Sequence, residues 1–315
     1  MSWQNLIQQQ AVAFPNESQP ALTPLADLSI IIVSGDDAES FLQNLLTNDV
    51  NALNPHQAQL NGLCSPKGRL LAIFQLIKRE QDYLIVLPAE LAEAIAQRLT
   101  MFKLRSKVDI ALSDSLAAVG IINPDNKMTD LPSITMQGSD TELGLLIKQA
   151  GQSPRFLAIC EKDKMLLLSE WLTNGWQLTT QAFWQLLDIE AGVPAIFNDS
   201  KEQFTPQQVN LELVGGVSFK KGCYPGQEVV ARLHYLGSPN RRMFLAKVGS
   251  GELPQANTPV SDEDDNILGH VVQAQTAHDN TLLCQVSMKL SAITTKAYIG
   301  DNAVTELTAL VNDEG

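Results

Sequence analysis

The order of the predicted elements describes an α+β chain, with two split β-α-β domains followed by a C-terminal β-barrel. Two patterns carry that prediction. Between residues 28 and 112 the hydrophobic spacing runs strand, helix, strands, helix, strand, and a similar mixture returns between 116 and 191. From about Met243 onward, short alternating runs replace helical spacing and break at Pro254, Pro259 and the acidic stretch Asp262 to Asp265. At 315 residues the chain exceeds one ordinary core, so the expected domains are 1–113, 114–242 and 243–315.

Leu28 to Val33 is apolar and β-branched, which predicts a buried strand. Asp36 and Glu39 have capping-box spacing, and Ala38, Phe41, Leu42, Leu45 and Leu46 then repeat at helical intervals. Strands are expected near Ala58 to Cys64, Leu70 to Ile77 and Tyr83 to Leu87. Pro88 opens a helix whose buried face is Leu91, Ile95, Leu99 and Phe102, and Val108 to Leu112 closes the first domain as a strand. In the second domain Leu116 to Ile122, Leu143 to Lys148 and Phe156 to Cys160 are expected strands. Helices are expected at Glu161 to Asn174 and Thr180 to Ala191, with Gly175 and Gly192 as stops. Asn123 to Gln137, with Pro124 and Pro132, is expected to be a surface excursion.

Composition narrows the function. A 44% apolar content suits a soluble globular chain, no run approaches a membrane span, and Met1 to Phe14 is too rich in glutamine for a signal peptide. The expected location is the cytoplasm. Cys64, Cys160, Cys223 and Cys284 lie far apart without a Cys-x-x-Cys, which argues against a disulfide framework and a self-contained zinc site. A net charge of −13 works against tight, non-specific binding to nucleic acid. Lys220 to Arg242 is the local exception: Lys220, Lys221, Arg232, Arg241 and Arg242 face one acid, Glu228. That face either attracts a small anion or is a solvated basic patch.

The run Lys220-Lys221-Gly222-Cys223-Tyr224-Pro225-Gly226-Gln227-Glu228 concentrates the chemistry. Pro225 and Gly226 suit the two central positions of a type II turn from Tyr224 to Gln227. Neighbouring ammonium groups favour the thiolate, the form that attacks electrophiles or ligates metal. The plain alternative is a small, half-buried cysteine beside a hairpin.

This run resembles the signature of the YgfZ family of folate-binding proteins, which includes mitochondrial iron–sulfur assembly factors and is related in fold to the T-protein (aminomethyltransferase) of the glycine cleavage system. Other blocks resemble the family in the same order: Phe41-Leu42-Gln43 with Leu46-Thr47-Asn48-Asp49-Val50, then Ser65-Pro66-Lys67-Gly68-Arg69, Ile189-Glu190-Ala191-Gly192-Val193-Pro194 and Phe204-Thr205-Pro206-Gln207. The resemblance implies a T-protein-like fold, its three domains ringing a central folate cavity. It implies a monomeric accessory protein that binds tetrahydrofolate or a derivative and supports iron–sulfur enzymes and tRNA methylthiolation. Its partners would be iron–sulfur assembly proteins or iron–sulfur tRNA-modifying enzymes, with transient contact to a cluster, no resident metal and no membrane.

On that resemblance Cys223 is the chemical centre and Lys221, with Lys220, its activator. Glu190 matches the carboxylate with which the T-protein binds the pterin ring, and Trp184 a tryptophan associated with folate in bacterial members. An indole can stack on a flat heterocycle while its N–H finds a polar partner. A second such tryptophan would fall at Leu28, so one stacking surface is absent. Where the T-protein has paired aspartates, Ala72 and Ile73 stand here, and neither can manage charge during aminomethyl transfer. Asn48, Asp49 and Gln207 are loop polar groups, either ligand contacts or turn chemistry. Two rivals remain: a folate-dependent one-carbon transferase, against which Ala72 and Ile73 count, and a scaffold without cofactor.

Overall fold

Apolar runs such as Leu28 to Val33 and Leu116 to Ile122 become strands where the sequence places them. The structure is a computed structural model that describes residues 2–16, 18–123, 128 and 131–310. In chain order the first half contains α1 (Trp3–Ile7), β1 (Ala21–Pro24), β2 (Leu28–Ser34), α2 (Ala38–Gln43), β3 (Ala58–Cys64), β4 (Leu70–Lys78), β5 (Asp82–Pro88), α3 (Ala89–Lys103) and β6 (Asp109–Leu112). Then come β7 (Leu116–Ile122), β8 (Gly138–Asp140), β9 (Leu145–Lys148), β10 (Arg155–Glu161), α4 (Met165–Thr173), β11 (Gln177–Leu178), α5 (Gln181–Glu190) and α6 (Gln227–Tyr235). The last stretch holds β12 (Arg241–Val248), β13 (Pro259–Ser261), β14 (Ile267–Thr276), β15 (Leu282–Lys289), β16 (Tyr298–Ile299) and β17 (Asn302–Ala309). Two units divide it: Met1–Phe41, Asn51–Gln59 and Gln75–Trp184 form one, and Leu42–Val50, Leu60–Phe74 and Gln185–Gly315 the other.

In the first unit β2 lies between β5 and β6, antiparallel to both, and Gln75 to Lys78 of β4 extends the sheet beside β5. Leu91, Ala92, Ile95 and Leu99 of α3 are buried, as their spacing predicts. Phe102 is not; it falls in the last turn, 40% exposed, with the Arg98 guanidinium 5.6 Å from its ring centre. The expected capping box is replaced by tertiary contacts. Glu39 accepts from Lys78 and Tyr83, each at 2.6 Å, which holds its carboxyl below the usual range. The second sheet of this unit runs β11-β1-β7-β10-β9-β8. Every residue of β7 is buried, and Leu22, Val119, Ile121, Leu146, Phe156 and Leu168 share one core. β1 was not expected, because Ala21 to Pro24 is a short run bounded by prolines. Of the excursion expected from Asn123 to Gln137, residues 124–127 and 129–130, Pro124 among them, lie outside the described residues.

The second unit is built on a closed barrel in the order β12-β15-β14-β13-β16-β17, filled by Ala246, Val260, Val271, Cys284, Val286 and Met288. Closure removes the open strand edges that six short strands would otherwise present. The same unit contains Leu60 to Cys64 of β3 and Leu70 to Phe74 of β4, joined by a turn in which Ser65 N–H donates to Arg69 O at 2.8 Å. Among the described residues no helix is long and apolar enough to cross a membrane.

Candidate functional site

The Cys223 loop is fixed by backbone contact before any side chain acts. Gln227 N–H donates to Tyr224 O at 3.1 Å and Gly226 has φ +82° and ψ 1°, the geometry of the expected type II turn. Gly226 then starts α6, a helix the sequence reading missed because the Pro-Gly pair reads as a hairpin signal. A Cβ on Gly226 would lie 2.4 Å from Ser65 O and 2.7 Å from Gly68 Cα. The turn at Ser65 to Arg69 and the turn at Tyr224 to Gln227 therefore touch main chain to main chain, which only glycine permits.

Lys221 anchors the loop from beneath. It is 8% exposed, and its ammonium donates to Gln43 O and Leu46 O at 2.6 Å and to Asn48 O at 3.0 Å. Gln43 ends α2, so this cation caps carbonyls that a helix terminus leaves without partners. Burial pulls the Lys221 pKa down to about 8, against the opposing pull of Asp49. Its three donors are thus committed to carbonyls.

Residues 47 to 49 form the node on which these pieces meet. Thr47 Oγ1 donates to Gly216 O and accepts from Gly62 N–H, each at 2.7 Å. The Asn48 side-chain amide donates to Leu60 O at 2.9 Å and Gly215 O at 2.7 Å, while its main-chain N–H donates to Asn61 Oδ1. Asp49 Oδ1 accepts from the Gln43 side chain at 2.9 Å. Gln207 Nε2 donates to Val230 O of α6 at 2.7 Å. Of the two readings open for Asn48 and Gln207, these contacts are of the structural kind: they tie the segment before the loop, the helix after it and the β3–β4 hairpin into one scaffold.

The loop ends are clamped as well. Phe219 and His234 stack with ring centres 3.6 Å apart and planes 6° from parallel, and Tyr235 Oη donates to Phe219 O at 3.1 Å. Tyr224 is buried with the Lys221 ammonium 5.4 Å from its ring, and burial followed by the nearby Cys64 pushes its phenol up. Cys223 itself is exposed, whereas Cys64, Cys160 and Cys284 are buried. Desolvation pushes each of those three thiols up to about 12.

Trp184 and Glu190 occupy one helix, α5, but different units. Trp184 is 6% exposed; a Cβ on Gly120 would sit 2.4 Å from its ring, and the Arg155 guanidinium lies 4.9 Å from the ring centre. The contact with Arg155 was missed, since nothing in the sequence links positions 29 residues apart. Glu190 is exposed at the last residue of α5. The helix end beneath it is held by glutamines of the barrel: Gln285 donates to Ile189 O at 3.1 Å and Gln273 to Gln285 at 2.9 Å. Leu28 is half-buried at the start of β2. Ala72 and Ile73 are buried in β4. Among the described residues no three His, Cys, Asp or Glu side chains gather where they could hold a metal ion.

No protein-family model matches the chain. It is 30% identical over 276 residues to the tRNA-modifying protein YgfZ of Enterobacter sp. (strain 638), a span covering 85% of each protein. It is also 30% identical over 232 residues to the tRNA-modifying protein YgfZ of Colwellia psychrerythraea (strain 34H), covering 71% of this chain and 70% of that one. The crystal structure of glycine cleavage system aminomethyltransferase T from Bartonella henselae shares the fold, with a TM-score of 0.71 over 93% of this chain and 85% of that one at 17% identity.

Proposed function

Because the chain belongs to the YgfZ family of tRNA-modifying proteins, we propose that it supports tRNA modification as a folate-binding accessory protein of iron–sulfur enzymes, with Cys223 as its chemical centre. One observation carries this reading. Cys223 is an exposed thiol on a loop locked at Gly226, anchored at Lys221 and clamped at Phe219, while the other three thiols are buried. A loop held this firmly presents its sulfur at a fixed position and loses little freedom when a partner engages it.

As a thiolate, Cys223 either attacks an electrophilic carbon or sulfur or ligates iron in a transient cluster. Lys221 holds the loop through the carbonyls of Gln43, Leu46 and Asn48, and Lys220 is the flanking cation proposed to favour the thiolate. Tetrahydrofolate or a derivative is the proposed ligand, and when bound it supplies a one-carbon carrier. The exposed Glu190 carboxylate suits the amino group and ring N–H that a pterin presents side by side. Trp184, 6% exposed, is the aromatic ring proposed to lie beside the ligand. The transferase reading fares worse, because the buried side chains at 72 and 73 are apolar. The proposed setting is cytoplasmic, with iron–sulfur tRNA-modifying enzymes as partners.

Competitive alkylation by iodoacetamide, followed by mass spectrometry of all four cysteines, tests the thiol. Cys223 is expected to react first by a wide margin. Equal rates at Cys223 and the buried cysteines would remove it as the chemical centre.

A further inference from the structure

The basic stretch Lys220 to Arg242 separates into cations with partners and cations without. The Lys221 ammonium is spent on three carbonyls, and Arg242 forms an ion pair with Glu212. Arg241 has no such partner. The β12–β15 register sets it directly opposite Lys289, which brings their Cβ atoms to about 4.5–5.5 Å. Arg241 Nη1 donates to Leu268 O at 3.4 Å and Lys289 Nζ to Ile267 O at 2.9 Å, so both side chains lie along the start of β14. Arg69, on the β3–β4 turn, donates from Nη1 to Gln203 O at 2.5 Å. Four residues further on, Gln207 O accepts from Arg242 of β12, so the segment that holds Arg69 is also tied to the start of β12. Burial and repulsion from Arg69 both loosen the Arg241 proton, and burial and Arg241 do the same at His270.

All four side chains are half-buried, and none is in an ion pair among the described residues. Withdrawing cations from water beside one another, without a counter-charge, is unfavourable unless an anion joins them. That this happens in a chain of net charge −13, with acids available to neutralise the group, marks the arrangement as one that awaits a ligand. The geometry points to Arg69, Arg241 and Lys289 as a binding site for a phosphate-type oxyanion, with His270 at its edge. Two guanidinium forks match the planar oxygen pairs of phosphate. Three positive charges suit a phosphate monoester or the diester of an RNA strand better than a single carboxylate.

The test titrates the full-length protein with inorganic phosphate against chloride at constant ionic strength, followed by calorimetry. Phosphate is expected to saturate one site, and R241Q and K289Q each to weaken it about tenfold, the scale of one charge-assisted hydrogen bond. K289Q alters only the end of a strand, so it answers the question even if R241Q unfolds. A single-stranded RNA dodecamer and ribose 5-phosphate separate the sources: displacement of phosphate by the RNA assigns a phosphodiester, and displacement by the sugar phosphate alone assigns a small metabolite. No saturable phosphate binding, or equal binding in both variants and the unmodified protein, overturns the site.

Discussion

At the scale of single residues, Lys221 has the most consequential environment. Replacing it by methionine leaves three carbonyls without donors inside a closed structure, and the expected cost is about 2–4 kcal/mol. The pH dependence has a definite sign. Burial lowers the folded pKa to about 8, while the unfolded lysine titrates near its ordinary value of about 10.4. Between those values the unfolded state binds more protons, so this residue's contribution to stability rises with pH. Denaturant midpoints of the unmodified protein and Lys221→Met, measured from pH 7 to 10.5, should therefore diverge in favour of the unmodified protein as pH increases. A constant difference would contradict the buried ammonium. Glu190 belongs to the same scale. Glu190→Ala should weaken tetrahydrofolate binding by about 2–4 kcal/mol, the loss of two charge-assisted hydrogen bonds, read by quenching of tryptophan fluorescence. Unchanged affinity would take Glu190 out of the proposed site.

At the scale of elements, the two-turn contact makes a sharp comparison between neighbouring glycines. Gly226→Ala demands a left-handed residue whose Cβ meets main chain at 2.4 Å. About 2–3 kcal/mol of stability should be lost, together with the preferential alkylation of Cys223. Gly222→Ala meets nothing within 4 Å and needs no left-handed φ, so thermal unfolding should be nearly unchanged. Equal effects of the two substitutions would mean that the turns do not lean on each other. Much at this scale was legible in sequence. Runs such as Leu28 to Val33 and Leu116 to Ile122 became strands because continuous apolar, β-branched segments have nowhere else to bury. α6 was not legible, since its nine residues are too few for a sustained helical period and its first residue follows a turn signal. β1 was hidden for a different reason: a four-residue run that follows Pro20 and ends at Pro24 acquires strand character only by pairing with β7 and β11, nearly a hundred or more positions away. The scaffold around Cys223 was half visible. The blocks that build it stand out in sequence, but not that Thr47, Asn48 and Gln207 serve main-chain groups of Gly62, Gly216, Leu60, Gly215 and Val230. Nor could sequence show Lys289 opposite Arg241, because that pairing exists only through strand register.

At the scale of the whole molecule, the T-protein-like fold carries the site proposed around Cys223, and a shared fold does not carry its chemistry with it. β4 carries Ala72 and Ile73 at 0% and 4% exposure. Ala72→Asp would bury a carboxylate with no partner and should destabilise the protein by about 3–5 kcal/mol without producing aminomethyltransferase turnover. Steady formation of methylenetetrahydrofolate from an aminomethyl donor, by the unmodified protein, would contradict that view. The most direct measurement of the central claim is complementation. Cells lacking the native protein would be given either the unmodified chain or Cys223→Ser, and methylthiolated tRNA nucleosides would be quantified by mass spectrometry. Serine fits the turn and should leave folding and folate binding intact, so the expected result is restored modification with the unmodified chain and none above background with Cys223→Ser at equal protein level. Full restoration by Cys223→Ser would contradict the account.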